Sequence, residues 1–223
     1  RMRSLELHSR EPSMAKIARI GIDTSKSTFQ LHGVDEAEQV VLQRKQRRRE
    51  LLTLLGKLEP TLVGLEACGA SHHWGRELVK QGHQVMLIPP QYVKPYVRRS
   101  KNDAADAAAI CEAMSRPPVR ERLVPIKSTD QAAAQMMLGV RESLLRRRTQ
   151  LGNIIRGHAA EFGVVTAKGL DKIEPLLADI ADDTTVPVLA KEMFVVLGQE
   201  LKELRIRIAE IDKKLRALHR ANE

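Results

Sequence analysis

Aromatic residues make up only 3% of the 223 residues, with a single tryptophan. A chain so poor in flat rings is not built as a base-stacking platform of the single-strand-binding type. Cysteine is almost as scarce. Cys68 and Cys111 cannot make a disulfide framework, or a zinc site unaided, and they fit a reducing compartment. No apolar run reaches the roughly 18 residues that a membrane-spanning helix needs, so no membrane partner is expected. Residues 1–13 lack the apolar stretch of a secretory signal; they read as a disordered extension ahead of Met14, and a cytoplasmic location is expected. Apolar residues, at 43%, suffice for a packed core in one large domain or two small ones. Positive charge is plentiful: 37 Lys+Arg against 28 Asp+Glu give a net charge of +9, which favours a polyanionic partner. It is concentrated in three clusters: Arg44, Lys45, Arg47, Arg48 and Arg49; Lys94, Arg98, Arg99 and Lys101; and Arg141, Arg146, Arg147 and Arg148. Local clusters make a better phosphate footprint than the same charges scattered.

The first half alternates strand and helix signals. Residues 15–22, 28–34 and 39–43 read as three strands, then 51–58 as a helix closed by Pro60. Residues 61–65 read as a buried strand, 71–80 as a helix capped by Ser71 and stopped by Gly82, and 83–88 as a strand ended by Pro89 and Pro90. The alanine-rich stretch 103–114 is a helix stopped at Pro117. Past Pro125 only helix signals remain, over 128–161, 170–180 and from Pro187 onward. In the last, Phe194, Leu197, Leu201, Leu204, Ile208, Ile211, Leu215 and Leu218 alternate by three and four, the seam of a coiled coil. A weaker stripe of Met137, Val140, Leu144, Arg147, Leu151, Ile154 and His158 precedes it. The expected organisation is a mixed α/β domain over 14–126 and a helical coiled-coil region over 127–223, forming an antiparallel arm or a dimerisation element.

Four acids stand out by placement. Asp23 follows the first strand, Glu66 ends the fourth, and Asp103 and Asp106 open the alanine-rich helix. Asp103 and Asp106 lie three apart, hence on one helix face. Each has a bland reading: an Asx turn for Asp23, an arginine partner for Glu66, and a favourable helix-dipole interaction for the other two. Together, on alternating elements, they form the oxygen-only donor set that Mg²⁺ prefers. Cys68 reads as a small buried residue rather than a nucleophile.

These residues sit in three motifs: Ile20-Gly21-Ile22-Asp23-Thr24-Ser25-Lys26, Leu65-Glu66-Ala67-Cys68-Gly69 and Lys101-Asn102-Asp103-Ala104-Ala105-Asp106-Ala107. Jointly they resemble the signatures of the DEDD transposases of the insertion sequence 110 group and the related Piv-type invertases. The segment Leu87-Ile88-Pro89-Pro90-Gln91 and the basic loop after it extend the resemblance. It implies an RNase H/RuvC-like fold with Asp23, Glu66, Asp103 and Asp106 as catalytic ligands of Mg²⁺, with Mn²⁺ as a substitute. It also implies cleavage and strand transfer on DNA, in part of the family guided by a structured RNA. On this reading Lys94, Arg98, Arg99 and Lys101 neutralise backbone phosphates near the metals, and the helical arm supports a homodimer or higher assembly.

The family also has a later domain bearing a serine nucleophile, for which this chain offers no matching segment; the expectation is an N-terminal fragment. Two other readings follow from the residues. One is a non-catalytic nucleic-acid-binding or dimerisation module with vestigial acids. The other is an actin-like kinase, suggested by Gly21–Thr28, although the glycine-lysine spacing of a phosphate loop is absent.

Overall fold

The structure, a computed structural model, describes residues 16–97 and 103–221, with the side chains of Asp103 and Ala104 outside the description. It divides into two compact units between Ser128 and Thr129.

The first unit is built on strands β1 (Arg19–Thr24), β2 (Thr28–Val34), β3 (Val40–Arg47), β4 (Leu62–Glu66) and β5 (Gln84–Ile88). They form one sheet in the order β3-β2-β1-β4-β5. The pairs β1–β2 and β2–β3 are antiparallel, whereas β1–β4 and β4–β5 are parallel. The reason lies in the connections. Short turns join the first three strands, while α1 (Leu51–Leu55) and α2 (Ser71–Lys80) lie between the later ones, as parallel pairing requires a crossover. The mixed sheet with its helices, followed by a wholly helical unit, is the α/β architecture that the sequence predicts.

Alternation along the strands creates two different faces. Ile20, Ile22, Phe29, Leu31, Val63, Leu65 and Leu87 point one way and pack with Leu51 and Leu55 of α1 and Trp74 and Leu78 of α2. A separate core on the other face joins Met86 and Ile88 of β5 to Ile110, Ala113 and Met114 of α4 (Asp103–Met114). Each of the Val, Leu, Ile, Phe and Met side chains among these, fully buried, contributes about 1.5–3 kcal/mol. His83, buried at the start of β5, accepts from the Thr61 amide at Nδ1 (3.1 Å), and its Nε2 lies 3.2 Å from the Leu55 carbonyl. That ring ties α1 to the entry of β4 and satisfies backbone groups that burial would otherwise strand. Short helices α3 (Pro90–Val93) and α5 (Pro117–Arg120) flank α4.

Several local expectations shift. The third strand continues through Arg47, because β2 pairs with it as far as Thr28–Arg47. Ser71 is the first residue of α2 rather than its cap. Its hydroxyl accepts from the Cys68 amide (3.0 Å) and donates to the Cys68 carbonyl (2.9 Å), closing the turn after Glu66. Cys68 is exposed there, not buried; Cys111 is the buried cysteine.

The second unit contains α6 (Thr129–Glu161), α7 (Ile173–Asp182) and α8 (Val188–Arg220). α6 and α8 are antiparallel: Arg141 pairs with Asp212, and Phe162 stacks edge-on with Phe194 at 6.3 Å. Leu151, Ile155 and Ala159 of α6 meet Leu176 and Ile180 of α7 and Phe194, Leu201 and Leu204 of α8. On α8 the predicted seam is buried at Phe194, Leu201, Leu204 and Ile208, with Leu197 half-buried, and then opens, leaving Leu218 exposed. On α6 the predicted stripe is displaced by one residue at alternate positions. Ile155 and Ala159 are buried, whereas Val140, Arg147, Ile154 and His158 are exposed. An arginine at an apolar seam is costly, and the observed rotation turns Arg147 out while half-burying Arg148.

Candidate active site

β1 and β4 are parallel neighbours with Ile22 opposite Leu65. The next residue of each strand is an acid, Asp23 on β1 and Glu66 on β4. Since Ile22 and Leu65 face the core shared with α1 and α2, alternation turns both acids to the opposite face, towards α4. Asp23 and Glu66 are each half-buried. They are thus held by a sheet whose register places them side by side at the carboxyl ends of adjacent strands.

Two glycines let α4 lie directly on that face. A Cβ on Gly21 would be 2.3 Å from the Ala107 carbonyl oxygen and 2.5 Å from the Cys111 amide nitrogen. A Cβ on Gly64 would be 2.3 Å from Met114 Sδ. Ala107 follows Asp103 by one helical turn, and Ile110, which also borders Gly64, follows Asp106 by one turn. The glycine pair therefore brings the first turn of α4 over the strand ends that carry the acids. Arg19 adds a clamp: its Nε donates to the Cys111 carbonyl (2.9 Å), and its Nη1 pairs with Glu38 (2.7 Å). Glu38 sits in a left-handed turn conformation, φ 61°, which few non-glycine residues adopt. The Arg19 guanidinium holds its carboxyl below the usual glutamate range.

The Glu66 carboxyl is pushed up, first by burial and then by the negative charge of Asp106. Glu66 and Asp106, far apart in the chain, thus lie within electrostatic reach of each other. Asp106 is half-buried. Among the described residues no group of three or more His, Cys, Asp or Glu side chains is close enough together to hold a metal ion. The side chain of Asp103 lies outside the described residues, as do Arg98, Arg99 and Lys101. Lys94 is exposed in the helical turn Lys94–Tyr96 that follows α3. Sequence reasoning missed Arg19, Glu38 and the two glycines. Arg19 directly precedes the Ile20–Asp23 motif, but nothing local announces that its partners are Glu38 and a helix residue 92 positions further along the chain.

Acids at the ends of adjacent strands beneath a helix, on a sheet of this order, define the RNase H/RuvC-like class of α/β domain. A transposase family of the DEDD IS110 type matches residues 20–163. The chain is 56% identical over 217 residues to the transposase y4pF/y4sB of Sinorhizobium fredii, spanning 97% of this chain and 56% of the relative. It is 36% identical over 216 residues to the transposase of insertion sequence element IS1111A of Coxiella burnetii, spanning 96% of this chain and 59% of the relative. A transposase for insertion sequence element IS1328 of Yersinia enterocolitica is 33% identical over 203 residues. The chain belongs to the IS110-type DEDD transposase family. It spans between 56% and 60% of the length of these relatives.

Proposed function

We propose that this chain carries the metal-binding acids of a DNA transposase and presents them to a phosphodiester. One observation carries the reading: Asp23 and Glu66 follow the paired residues Ile22 and Leu65 of two adjacent parallel strands, on the sheet face that α4 covers. Like charges gathered at strand ends are unfavourable by themselves, and an all-oxygen donor set suits Mg²⁺ or Mn²⁺. Asp23, Glu66, Asp103 and Asp106 are the proposed ligands. A divalent cation held there supplies Lewis-acid stabilisation of charge on the phosphate oxygens during cleavage and strand transfer. The strands fix Asp23 and Glu66. The packing of α4 on Gly21 and Gly64 sets where its own acids sit, so orientation is built into the fold.

DNA is the proposed substrate, with a structured guide RNA as a second nucleic-acid partner. Lys94, Arg98, Arg99 and Lys101 are proposed to hold backbone phosphates, which positions a strand without reading its sequence. The helical unit is proposed to associate with a second copy. Exposed Leu189, Met193 and Val196, three and four residues apart on one face of α8, support this, since a contiguous apolar surface favours association. No helix among the described residues is long and apolar enough to cross a membrane, and a cytoplasmic location is proposed.

The test is a thermal-shift titration with Mn²⁺ on the 223-residue chain. A metal at a hundred times its Kd stabilises the folded state by about 2.7 kcal/mol. Asp106→Asn and Asp23→Asn are each expected to abolish the metal-induced shift while leaving the metal-free fold intact. An undiminished Mn²⁺ response in both variants would remove the basis of the assignment.

A further inference from the structure

The cluster Arg44–Arg49 is the densest run of positive charge in the chain, and the sheet sorts it by face. β3 is an edge strand, and its pairing with β2 sets Arg44 opposite Leu31 and Gln46 opposite Phe29. Leu31 and Phe29 belong to the core shared with α1 and α2, so Arg44 and Gln46 point to that side. Arg48 also turns there, with its guanidinium 4.9 Å from the Trp74 ring centre. Arg49 pairs with Glu50. Lys45 and Arg47 alternate to the opposite face, the one carrying Asp23 and Glu66. Both are exposed, and neither makes an ion pair among the described residues.

The register turns this into a line. Asp23 lies opposite Gln30 on β2, and Gln30 lies opposite Lys45 on β3. Glu66, Asp23, Gln30 and Lys45 therefore form one row across the sheet, and Arg47, opposite Thr28, stands two residues further along β3. With strands about 4.8 Å apart, Lys45 is roughly 10 Å from Asp23 across the sheet. That is about three nucleotides of rise along a DNA strand. Arg19, which also faces this side of the sheet, is committed to Glu38 and the Cys111 carbonyl.

We propose that Lys45 and Arg47 form a phosphate track on the β3 edge that leads a DNA strand over Gln30 to the acids. This rests on the reading of the acids as the reacting site, and it adds a positioning surface which that reading does not contain. Lys45 and Arg47 contact phosphate and leave the chemistry to the carboxylates. Charge on an edge strand also discourages pairing with another chain, and the test separates the two roles.

Binding of a fluorescein-labelled oligodeoxynucleotide to the 223-residue chain is measured by anisotropy across a salt series in EDTA. Each lost phosphate contact on a single strand reduces the slope of log K against log salt by about 0.7. K45A/R47A is expected to lower the slope by about 1.4 and to weaken binding roughly 25-fold at 0.1 M salt. Arg44→Ala, on the other face, is expected to change neither. A K45A/R47A variant that keeps the slope but self-associates in sedimentation velocity shows an edge guard only and overturns the track. An equal slope change in Arg44→Ala also overturns it, because the sidedness is then wrong. The metal response of Asp106→Asn is scored separately and bears on the acids, whereas the salt slope in EDTA bears on Lys45 and Arg47.

Discussion

Gly21→Ala should injure both the stability of the first unit and the proposed metal site, by a mechanism that the structure makes quantitative. The added Cβ would stand 2.3 Å from the Ala107 carbonyl oxygen and 2.5 Å from the Cys111 amide nitrogen. Ordinary van der Waals contact begins near 3.4 Å, so the helix must retreat by 3.4 − 2.3, or about 1.1 Å. The obstructing atoms are backbone, and no rotamer change relieves them. Overpacking of this kind costs about 1–3 kcal/mol, and this case belongs at the upper end. A loss of 2–3 kcal/mol lowers the melting temperature of a unit this size by roughly 10 °C. The same retreat carries the first turn of α4 away from Asp23 and Glu66, and a misplacement of about 1 Å can cost on the order of a hundredfold in a positioned reaction. Gly64→Ala is the comparison: its closest atom is Met114 Sδ, on a flexible side chain that can repack, so a loss of only about 1 kcal/mol is expected. Urea unfolding gives the stability difference, and calorimetric Mn²⁺ titration gives the metal affinity. If Gly21→Ala matched the parent in both, the close seating of α4 would not be what assembles the site.

In the second unit, Phe194→Ala should cost about 3–5 kcal/mol, because the ring is buried among α6, α7 and α8. Leu218→Ala should stay within about 0.5 kcal/mol, as expected beyond the buried part of the seam; chemical denaturation checks both. His72 is buried, and its proton affinity is lowered by that burial and by the charges of Lys127 and Arg76. With the folded value below the ordinary 6.5, the unfolded chain takes up the proton first. The stability that His72 contributes is therefore present above pH 6.5 and lost as pH falls below it, and a melting series in this window should flatten in His72→Gln. Asp212, held low chiefly by its hydrogen bond from Arg141, should yield a lower melting temperature when changed to Asn, with a difference that shrinks in high salt.

Much of the architecture is legible locally, because alternation and helical spacing state which side of an element is apolar. The ends of α2 and α4 fall where the following Gly82 and Pro117 predict, and alanine content marks α4 as a helix, whereas the expected Ser71 cap of α2 is instead its first residue. The four acids are likewise visible as a pattern at element ends. What spacing could not fix was rotation and reach. The apolar stripe of α6 contains two near-equivalent registers, and only contact with α7 and α8 selects Ile155 and Ala159 over Ile154 and His158. The strand through Lys45 and Arg47 was hidden because charged residues are weak strand formers by themselves, and a partner strand supplies the pairing.

By itself the sequence determined the alternation of strands and helices, the change to pure helix after Pro125, and the acid-bearing motifs that mark the family. These are properties of neighbours along the chain, set by side-chain period and backbone preference. The tertiary structure alone decided that Gly21 and Gly64 admit α4 onto the sheet, that Glu66 feels the charge of Asp106, and that the cations of one short run part to opposite faces. Close approach, electrostatic coupling and sidedness depend on distances through space, and those exist only once the chain has packed.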